Sequence, residues 1–116
     1  MPQLIQKGAD GTDVQMWSLR DGATTVGRGD DCNAKVNDDL LSRQHFTITQ
    51  RKEKFILKDL GSKNGTRVNG KPVTEHSLKD GDEIQAGGTS FVIRQTYATL
   101  WLKSVTGKGW SSDLRT

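Results

Sequence analysis

The chain has 116 residues, 32% of them hydrophobic, and a formal net charge of +3 from 17 Lys and Arg against 14 Asp and Glu. This length predicts one domain, and the interspersed charges argue against a nucleic-acid-binding tail, so we expect no nucleic acid partner. The single cysteine, Cys32, excludes an internal disulfide framework and a cysteine-rich zinc site.

Short strands separated by tight turns dominate the first 96 residues. Turn-forming pairs such as Asp10-Gly11, Asp21-Gly22 and Asn69-Gly70 suit the positive φ angles of hairpins. The β-favouring runs between the turns are, in chain order, residues 4–6, 14–19, 24–26, 45–49, 55–60, 82–86 and 90–95. No segment before residue 96 has a helical pattern of apolar residues. Many short strands at this spacing predict an all-β sandwich or barrel.

Residues 97–116 differ from the rest of the chain. Tyr97, Leu100, Trp101 and Val105 have near-helical spacing, but glycines and a polar tail follow them. We expect residues 1–96 to form the domain and residues 97–116 to be a terminal segment that packs on it or begins a linker. One alternative is an apolar patch on this segment that docks a partner or a second copy of the chain, and the other is a disordered tail. We otherwise expect a monomer.

Four short motifs occur in a fixed order along the predicted domain: Gly27-Arg28, Ser42-Arg43-Gln44-His45, residues 61–66, and Val68-Asn69-Gly70. In this order and spacing they resemble the forkhead-associated (FHA) domain, a module that binds phosphothreonine peptides; the resemblance covers residues 24–96. It implies an FHA/SMAD-like β-sandwich of two mainly antiparallel sheets, with the binding loops at one end. It also implies phosphothreonine-dependent binding in Ser/Thr kinase signalling, with a threonine-phosphorylated protein or peptide as the partner and no cofactor.

Recognition of a phosphothreonine requires donors that surround a dianion with three acceptor oxygens. Arg28 follows a predicted strand, and its planar guanidinium can bond two of those oxygens at once. Ser42 offers a short hydroxyl donor, and Arg43 a second positive charge. The resemblance implies that all three contact the phosphopeptide. Where several relatives have Ser or Thr before the asparagine, this chain has Lys63, which either reaches the phosphate itself or leaves that contact to Ser62.

The remaining motif residues are expected either to bind the peptide backbone or to support the loops of the site. The side-chain amide of Asn64 has donors and an acceptor, and the matching asparagine of the family bonds main-chain groups beside the phosphothreonine. The resemblance implies that ring hydrogen bonds of His45 hold the Ser42 loop in shape. It gives supporting roles in the site to Gly27, Gly65 and Thr66.

The sequence contains only incomplete versions of hydrolase, nucleotide-binding and metal-binding motifs. Ser42, His45 and Asp59 lack the nucleophile elbow and oxyanion loop of a hydrolase, so we expect no enzyme. Residues 65–71 satisfy most of a P-loop pattern, but Pro72 occupies the position of the magnesium-binding Ser or Thr. The two histidines and the cysteine do not have the spacing of a metal site, so no metal is expected.

The strongest alternative is a phospho-independent protein scaffold on the same fold. No apolar run approaches 18 residues and no signal-peptide core is evident, which favours a cytoplasmic protein with no membrane partner. In the family, residues that flank the phosphothreonine are selected by variable loops. Here the segments expected to make that selection are residues 30–34, Arg43 and residues 74–79.

Overall fold

Two β-sheets pack face to face in a computed structural model of the chain, which describes residues 2–95. The strands, in chain order, are β1 (Gln3–Lys7), β2 (Asp13–Ser18), β3 (Gly22–Gly27), β4 (Ala34–Lys35), β5 (Phe46–Arg51), β6 (Lys54–Asp59), β7 (Thr66–Val68), β8 (Lys71–Val73), β9 (Glu75–Leu78), β10 (Glu83–Ala86) and β11 (Thr89–Arg94). The predicted all-β sandwich is confirmed. Expectations for residues 97–116 lie outside the described residues.

The sheets are almost entirely antiparallel. The six-stranded sheet has the order β2-β1-β11-β10-β7-β8, and the five-stranded sheet has the order β4-β3-β5-β6-β9. The one parallel pair among the described strands is β3 with the two-residue strand β4. The chain crosses between the sheets several times, as in other antiparallel sandwiches.

The core lies between the sheets because apolar residues alternate along the central strands. In β5, Phe46 and Ile48 are buried whereas Thr47 and Thr49 are half-buried on the opposite face. Phe46 meets Phe91 of the other sheet edge to face, with ring centroids 5.7 Å apart. A register slip of one residue would turn the apolar residues to solvent, so this alternation fixes strand pairing.

All seven predicted strands are present, with boundaries within two residues of those expected. The strands β4, β7, β8 and β9 were not predicted, because each has only two to four residues. The predicted turn at Asn69-Gly70 joins β7 to β8, and both residues have positive φ, at 51° and 84°. Pro72 is tolerated in β8 because that strand is an edge of its sheet.

Lys52 is strained in the hairpin between β5 and β6. Its φ is 57°, a left-handed conformation that costs a side-chain-bearing residue about 1 kcal/mol and glycine almost nothing. We expect Lys52→Gly to raise the free energy of unfolding by about 0.5–1 kcal/mol and the melting temperature by a few degrees, measured by calorimetry. Glu53→Gly, at a neighbour without positive φ, should not stabilise; equal effects of both changes would contradict the strain.

Four connections meet at one end of the sandwich, here called the loop end. They are residues 28–33 after β3, residues 36–45 after β4, residues 60–65 after β6, and the Gly87-Gly88 turn between β10 and β11. Backbone hydrogen bonds join the first loop to the second, and Gly87 lies directly against the backbone of Leu40. Within residues 2–95, no helix has the length and hydrophobicity needed to cross a membrane.

Candidate functional site

The end of β3 lies in close contact with the backbone of Ser42 and Arg43. The Arg28 N–H donates to the Ser42 carbonyl at 3.2 Å, and the Gly29 N–H donates to the Arg43 carbonyl at 3.0 Å. A Cβ atom on Gly27 would lie only 2.2 Å from the Arg43 carbonyl oxygen. Glycine at position 27 therefore permits the approach that places Arg28 beside Ser42.

The Arg28 side chain is exposed at the loop end but is fixed at its base. Its Nε atom donates to the Leu41 carbonyl at 2.8 Å. The two terminal nitrogens make no hydrogen bond to any of residues 2–95, so they remain available as a planar pair of donors. The guanidinium is thus oriented before any ligand arrives.

Arg28 and Arg43 line one open depression together with Asp30 and Asp31. Both carboxylates have partners of their own, because Gln44 donates to Asp31 at 2.6 Å and Lys35 pairs with Asp30. Neither arginine forms an ion pair within the described part of the chain. The depression therefore presents two guanidinium groups that are not held by either carboxylate, although Asp31, whose partner Gln44 is neutral, keeps its negative charge beside them.

Ser42 connects the loop after β4 to the loop after β6. Its Oγ accepts a hydrogen bond from the Lys63 backbone N–H at 3.0 Å, which leaves the hydroxyl proton available to a ligand. Lys63 itself is exposed, and its ammonium makes no ion pair within residues 2–95. The structure thus brings Ser42 and Lys63 together beside Arg28.

His45 is fully buried beneath Ser42 and joins two loops. The Ser42 N–H donates to Nδ1 at 3.1 Å, so the ring proton lies on Nε2, which donates to the Gly65 carbonyl at 2.8 Å. The His45 ring therefore connects the loop after β4 to the loop after β6. Since both ring nitrogens are engaged, neither can act as a base for Ser42.

Asp59 organises the loop after β6, a role that the sequence analysis did not assign to it. Its Oδ1 accepts from the hydroxyls of Ser62, at 2.5 Å, and Thr66, at 2.7 Å, and its Oδ2 accepts from the N–H groups of Gly61 and Ser62. Burial alone would raise the pKa of Asp59, but these hydrogen bonds outweigh it and lower the pKa below the usual value. The Asp-x-Gly-Ser spacing, typical of a side-chain turn, was the available signal.

The Ser62 hydroxyl is engaged within the loop after β6 in this structure. Ser62 was a candidate phosphate contact, but its hydroxyl donates to Asp59 and accepts from the Gly65 N–H at 3.0 Å. No hydroxyl proton is left for a phosphate in this arrangement. Ser62 braces the loop together with Thr66, which is only 2% exposed.

The lowered pKa of Asp59 makes a prediction about stability and pH. A folded pKa below the unfolded value of 3.8 contributes stability at neutral pH, and this is lost as the pH falls below 3.8 through the folded pKa. We expect Asp59→Asn to cost about 2 kcal/mol of unfolding free energy at pH 7 and clearly less near pH 3, measured by urea denaturation. Asp21→Asn, at an exposed turn, is the control; equal losses from Asp59→Asn at both pH values would contradict the assignment.

Asn64 joins the loop after β6 to the loop after β4. Its Nδ2 donates to the Leu40 carbonyl at 2.7 Å, and its Oδ1 has no hydrogen-bond partner among residues 2–95. Gly65 follows with φ of 80°, which suits its lack of a side chain. Asn64 therefore supports the loop end through its side-chain NH2 group, and its side-chain oxygen is an unused acceptor within the described residues.

Asp38 ties the Gly87-Gly88 turn to the loop after β4. Its carboxylate accepts from the Gly88 N–H and the Thr89 hydroxyl, both at 2.7 Å, and from the Leu40 N–H at 2.9 Å. Within the described residues, no cluster of three or more His, Cys, Asp or Glu could hold a metal ion. The arrangement is suited to holding an anion by hydrogen bonds at a preformed surface.

Comparison with known proteins agrees with this arrangement. Residues 24–87, more than half of the chain, match the family model of the FHA domain. Over 78 residues, 67% of this chain, it is 40% identical to the FHA domain-containing protein FhaA of Mycobacterium tuberculosis. Over 69 residues, 60% of this chain, it is 38% identical to the glycogen accumulation regulator GarA of the same species. The matched regions span 15% of FhaA and 43% of GarA.

The fold is also similar to solved structures. One comes from a structural and functional analysis of phosphothreonine-dependent FHA domain interactions, with a TM-score of 0.77 and 34% identity over 83% of this chain and 97% of that one. Another is the FhaA FHA domain in complex with the intracellular domain of Rv3910, with a TM-score of 0.75 and 35% identity over 81% of this chain and all of that one. Sequence, fold and loop-end geometry lead to the same conclusion, that this chain belongs to the FHA domain family.

Proposed function

We propose that this chain binds threonine-phosphorylated proteins or peptides and acts as an interaction module in Ser/Thr kinase signalling. The observation that carries the proposal is that Arg28 and Ser42 lie next to each other at the loop end. The guanidinium is held by Leu41 with its terminal nitrogens exposed, and the Ser42 hydroxyl keeps its proton. The similarity to an FHA domain from a study of phosphothreonine-dependent interactions supports the same ligand.

In this proposal, charged and hydroxyl donors bind the phosphate, and a side-chain amide binds the peptide backbone. Arg28 and Ser42 bond the phosphate oxygens, Arg43 and Lys63 add positive charge, and the Oδ1 of Asn64 accepts a peptide N–H. Charged hydrogen bonds contribute about 1.5–3 kcal/mol each, and less when exposed. Two such bonds should make the affinity for a phosphorylated peptide roughly a hundredfold higher than for the same peptide without phosphate.

Selection of threonine over serine depends on the β-methyl group. Burial of one methyl contributes about 0.8 kcal/mol, or roughly fourfold in affinity. We propose binding without turnover, because neither His45 nor Asp59 is available as a base for Ser42. A monomer in the cytoplasm is the form that we propose for this activity.

A peptide library tests the function directly. Phosphothreonine is fixed at the centre, the flanking positions are randomised, and the selected sequence is resynthesised with phosphothreonine, phosphoserine or threonine. We expect calorimetry to show the tightest binding to phosphothreonine, a few-fold weaker binding to phosphoserine and no measurable binding to threonine. Equal affinity for the threonine peptide would favour the phospho-independent scaffold.

Binding should weaken in mild acid. The second pKa of a phosphorylated side chain is about 6, so the ligand loses half of its second charge near that pH. We expect the affinity measured by calorimetry to fall between pH 7.5 and pH 5.5. A difluoromethylene phosphonate analogue, whose second pKa is lower, should lose less affinity over the same range. A flat profile for the natural peptide would contradict binding of the dianion.

A further inference from the structure

A second depression begins at Asn64 and continues over the outer face of the six-stranded sheet. Cross-strand pairing places Arg67 opposite Gln85, and Gln85 opposite Ser90. The strand neighbours of Arg67 and Gln85 are buried on the inner face, as is Phe91 next to Ser90, so alternation puts these three residues on the outer face. The residues that line this depression, here called the Arg67 groove, are Asn64, Gly65, Arg67, Gln85, residues 87–88, Thr89 and Ser90.

Arg67 is the only charged residue among those that line the groove. It is exposed and forms no ion pair within residues 2–95. Glu83 lies on the same face of the sheet two residues before Gln85, but it does not line the groove. The carboxylate of Asp38 approaches the groove from the other side of the Gly87-Gly88 turn. Its oxygens are already bonded to Leu40, Gly88 and Thr89. The groove is therefore a polar channel with one positive charge and no negative charge among its lining residues.

The groove is continuous with the proposed phosphothreonine site through Asn64. A chain spans at most about 3.6 Å per residue, so Arg67 lies within about 11 Å of Asn64, three residues before it. Extended peptide bonded to Asn64 can therefore place a side chain beside Arg67 from two to four residues further along. Arg67 lies outside residues 30–34, Arg43 and residues 74–79, where the sequence analysis expected the selection of flanking residues.

We propose that the Arg67 groove is a second subsite for the same phosphopeptide, that it takes an acidic side chain, Asp or Glu, and that Arg67 contacts this carboxylate. This inference rests on the proposed phosphothreonine binding. Exposed ion pairs are weak and are screened by salt, so the expected gain is about two- to fivefold at low ionic strength. The subsite selects among phosphopeptides and does not by itself hold a ligand.

The test moves a single glutamate through a fixed phosphothreonine peptide, one position at a time, from four residues before the phosphothreonine to four after. Each peptide has a partner with glutamine at the same position. Calorimetry at low salt compares the unaltered chain, Arg67→Gln and Lys71→Gln. Lys71 is an exposed cation in the neighbouring strand β8 that does not line the groove, which makes it a matched control.

We expect one position, or two adjacent ones, at which glutamate binds two- to fivefold tighter than glutamine. This gain should disappear in Arg67→Gln, persist in Lys71→Gln and shrink in 0.5 M salt, while the all-glutamine peptide binds all three proteins alike. A gain that survives Arg67→Gln, or no gain at any position, would overturn the subsite and leave phosphate-dependent binding intact. Equal binding of phosphorylated and unphosphorylated peptides would instead reject the proposed function, and the subsite with it.

Discussion

Replacing Arg28 with alanine should reduce phosphopeptide affinity by about a hundredfold or more while the domain remains folded. Arg28 supplies the two donors that can engage two phosphate oxygens at once, and charged hydrogen bonds contribute about 1.5–3 kcal/mol each. The loss of the hydrogen bond from Nε to the Leu41 carbonyl should cost the fold no more than about 1 kcal/mol. Calorimetry measures the affinity, and thermal unfolding measures the stability.

Two further variants separate the geometry of Arg28 from its charge. Arg28→Lys keeps the charge but loses both the planar donor pair and the anchor to Leu41, so we expect an affinity about tenfold weaker than that of the unaltered chain. Arg20→Ala removes another exposed arginine, which follows β2 and lies outside the loop end, and should bind normally. Unchanged affinity in Arg28→Ala would remove this residue from the site.

Replacing Gly27 with alanine should damage both the fold and the site. The added Cβ would lie 2.2 Å from the Arg43 carbonyl oxygen and 2.8 Å from the Ser42 carbonyl oxygen. Both neighbours are backbone atoms, so no side-chain rotation relieves the clash and the strand end must separate from the loop. We expect a loss of about 2–3 kcal/mol and a fall in melting temperature of about 10 °C or more.

The displacement caused by Gly27→Ala should also move Ser42 away from Arg28, so phosphopeptide binding should remain weak at temperatures where the variant is fully folded. Gly88→Ala is a matched control, because its Cβ would make only ordinary contacts, no closer than 3.4 Å, and its φ is not positive. A Gly27→Ala domain with normal melting temperature and normal affinity would show that the close approach does not matter.

The long strands could be predicted because each is a run of β-favouring side chains bounded by turn-forming residues. Phe46 and Ile48 alternate with threonines, and Asn69-Gly70 has the composition of a two-residue hairpin turn. The strands that were missed depend on their partners. In β9 only Leu78 is buried, and the segment is a strand because it pairs with β6. Such pairing is tertiary and leaves little trace in a four-residue segment.

The residues of the candidate site could be named from the sequence, but the hydrogen bonds among them could not. The motif order gave Arg28, Ser42 and Asn64, and the structure places all three at the loop end. The sequence could not show that Asn64 donates to a carbonyl 24 residues earlier in the chain, because loop packing decides that contact. The same holds for Ser62, whose hydroxyl is engaged by Asp59 and not turned to a ligand.

The hydrogen bonds between loops have a consequence for the kinetics of signalling. Lys63 to Ser42, Asn64 to Leu40, and Gly88 to Asp38 each connect two separate segments of chain. A surface that is ordered in advance leaves only the peptide to lose conformational freedom on association. Partners with different flanking sequences should then associate at similar rates and differ mainly in residence time. Short residence would let a phosphatase reach a released phosphothreonine quickly, so occupancy could follow kinase activity closely.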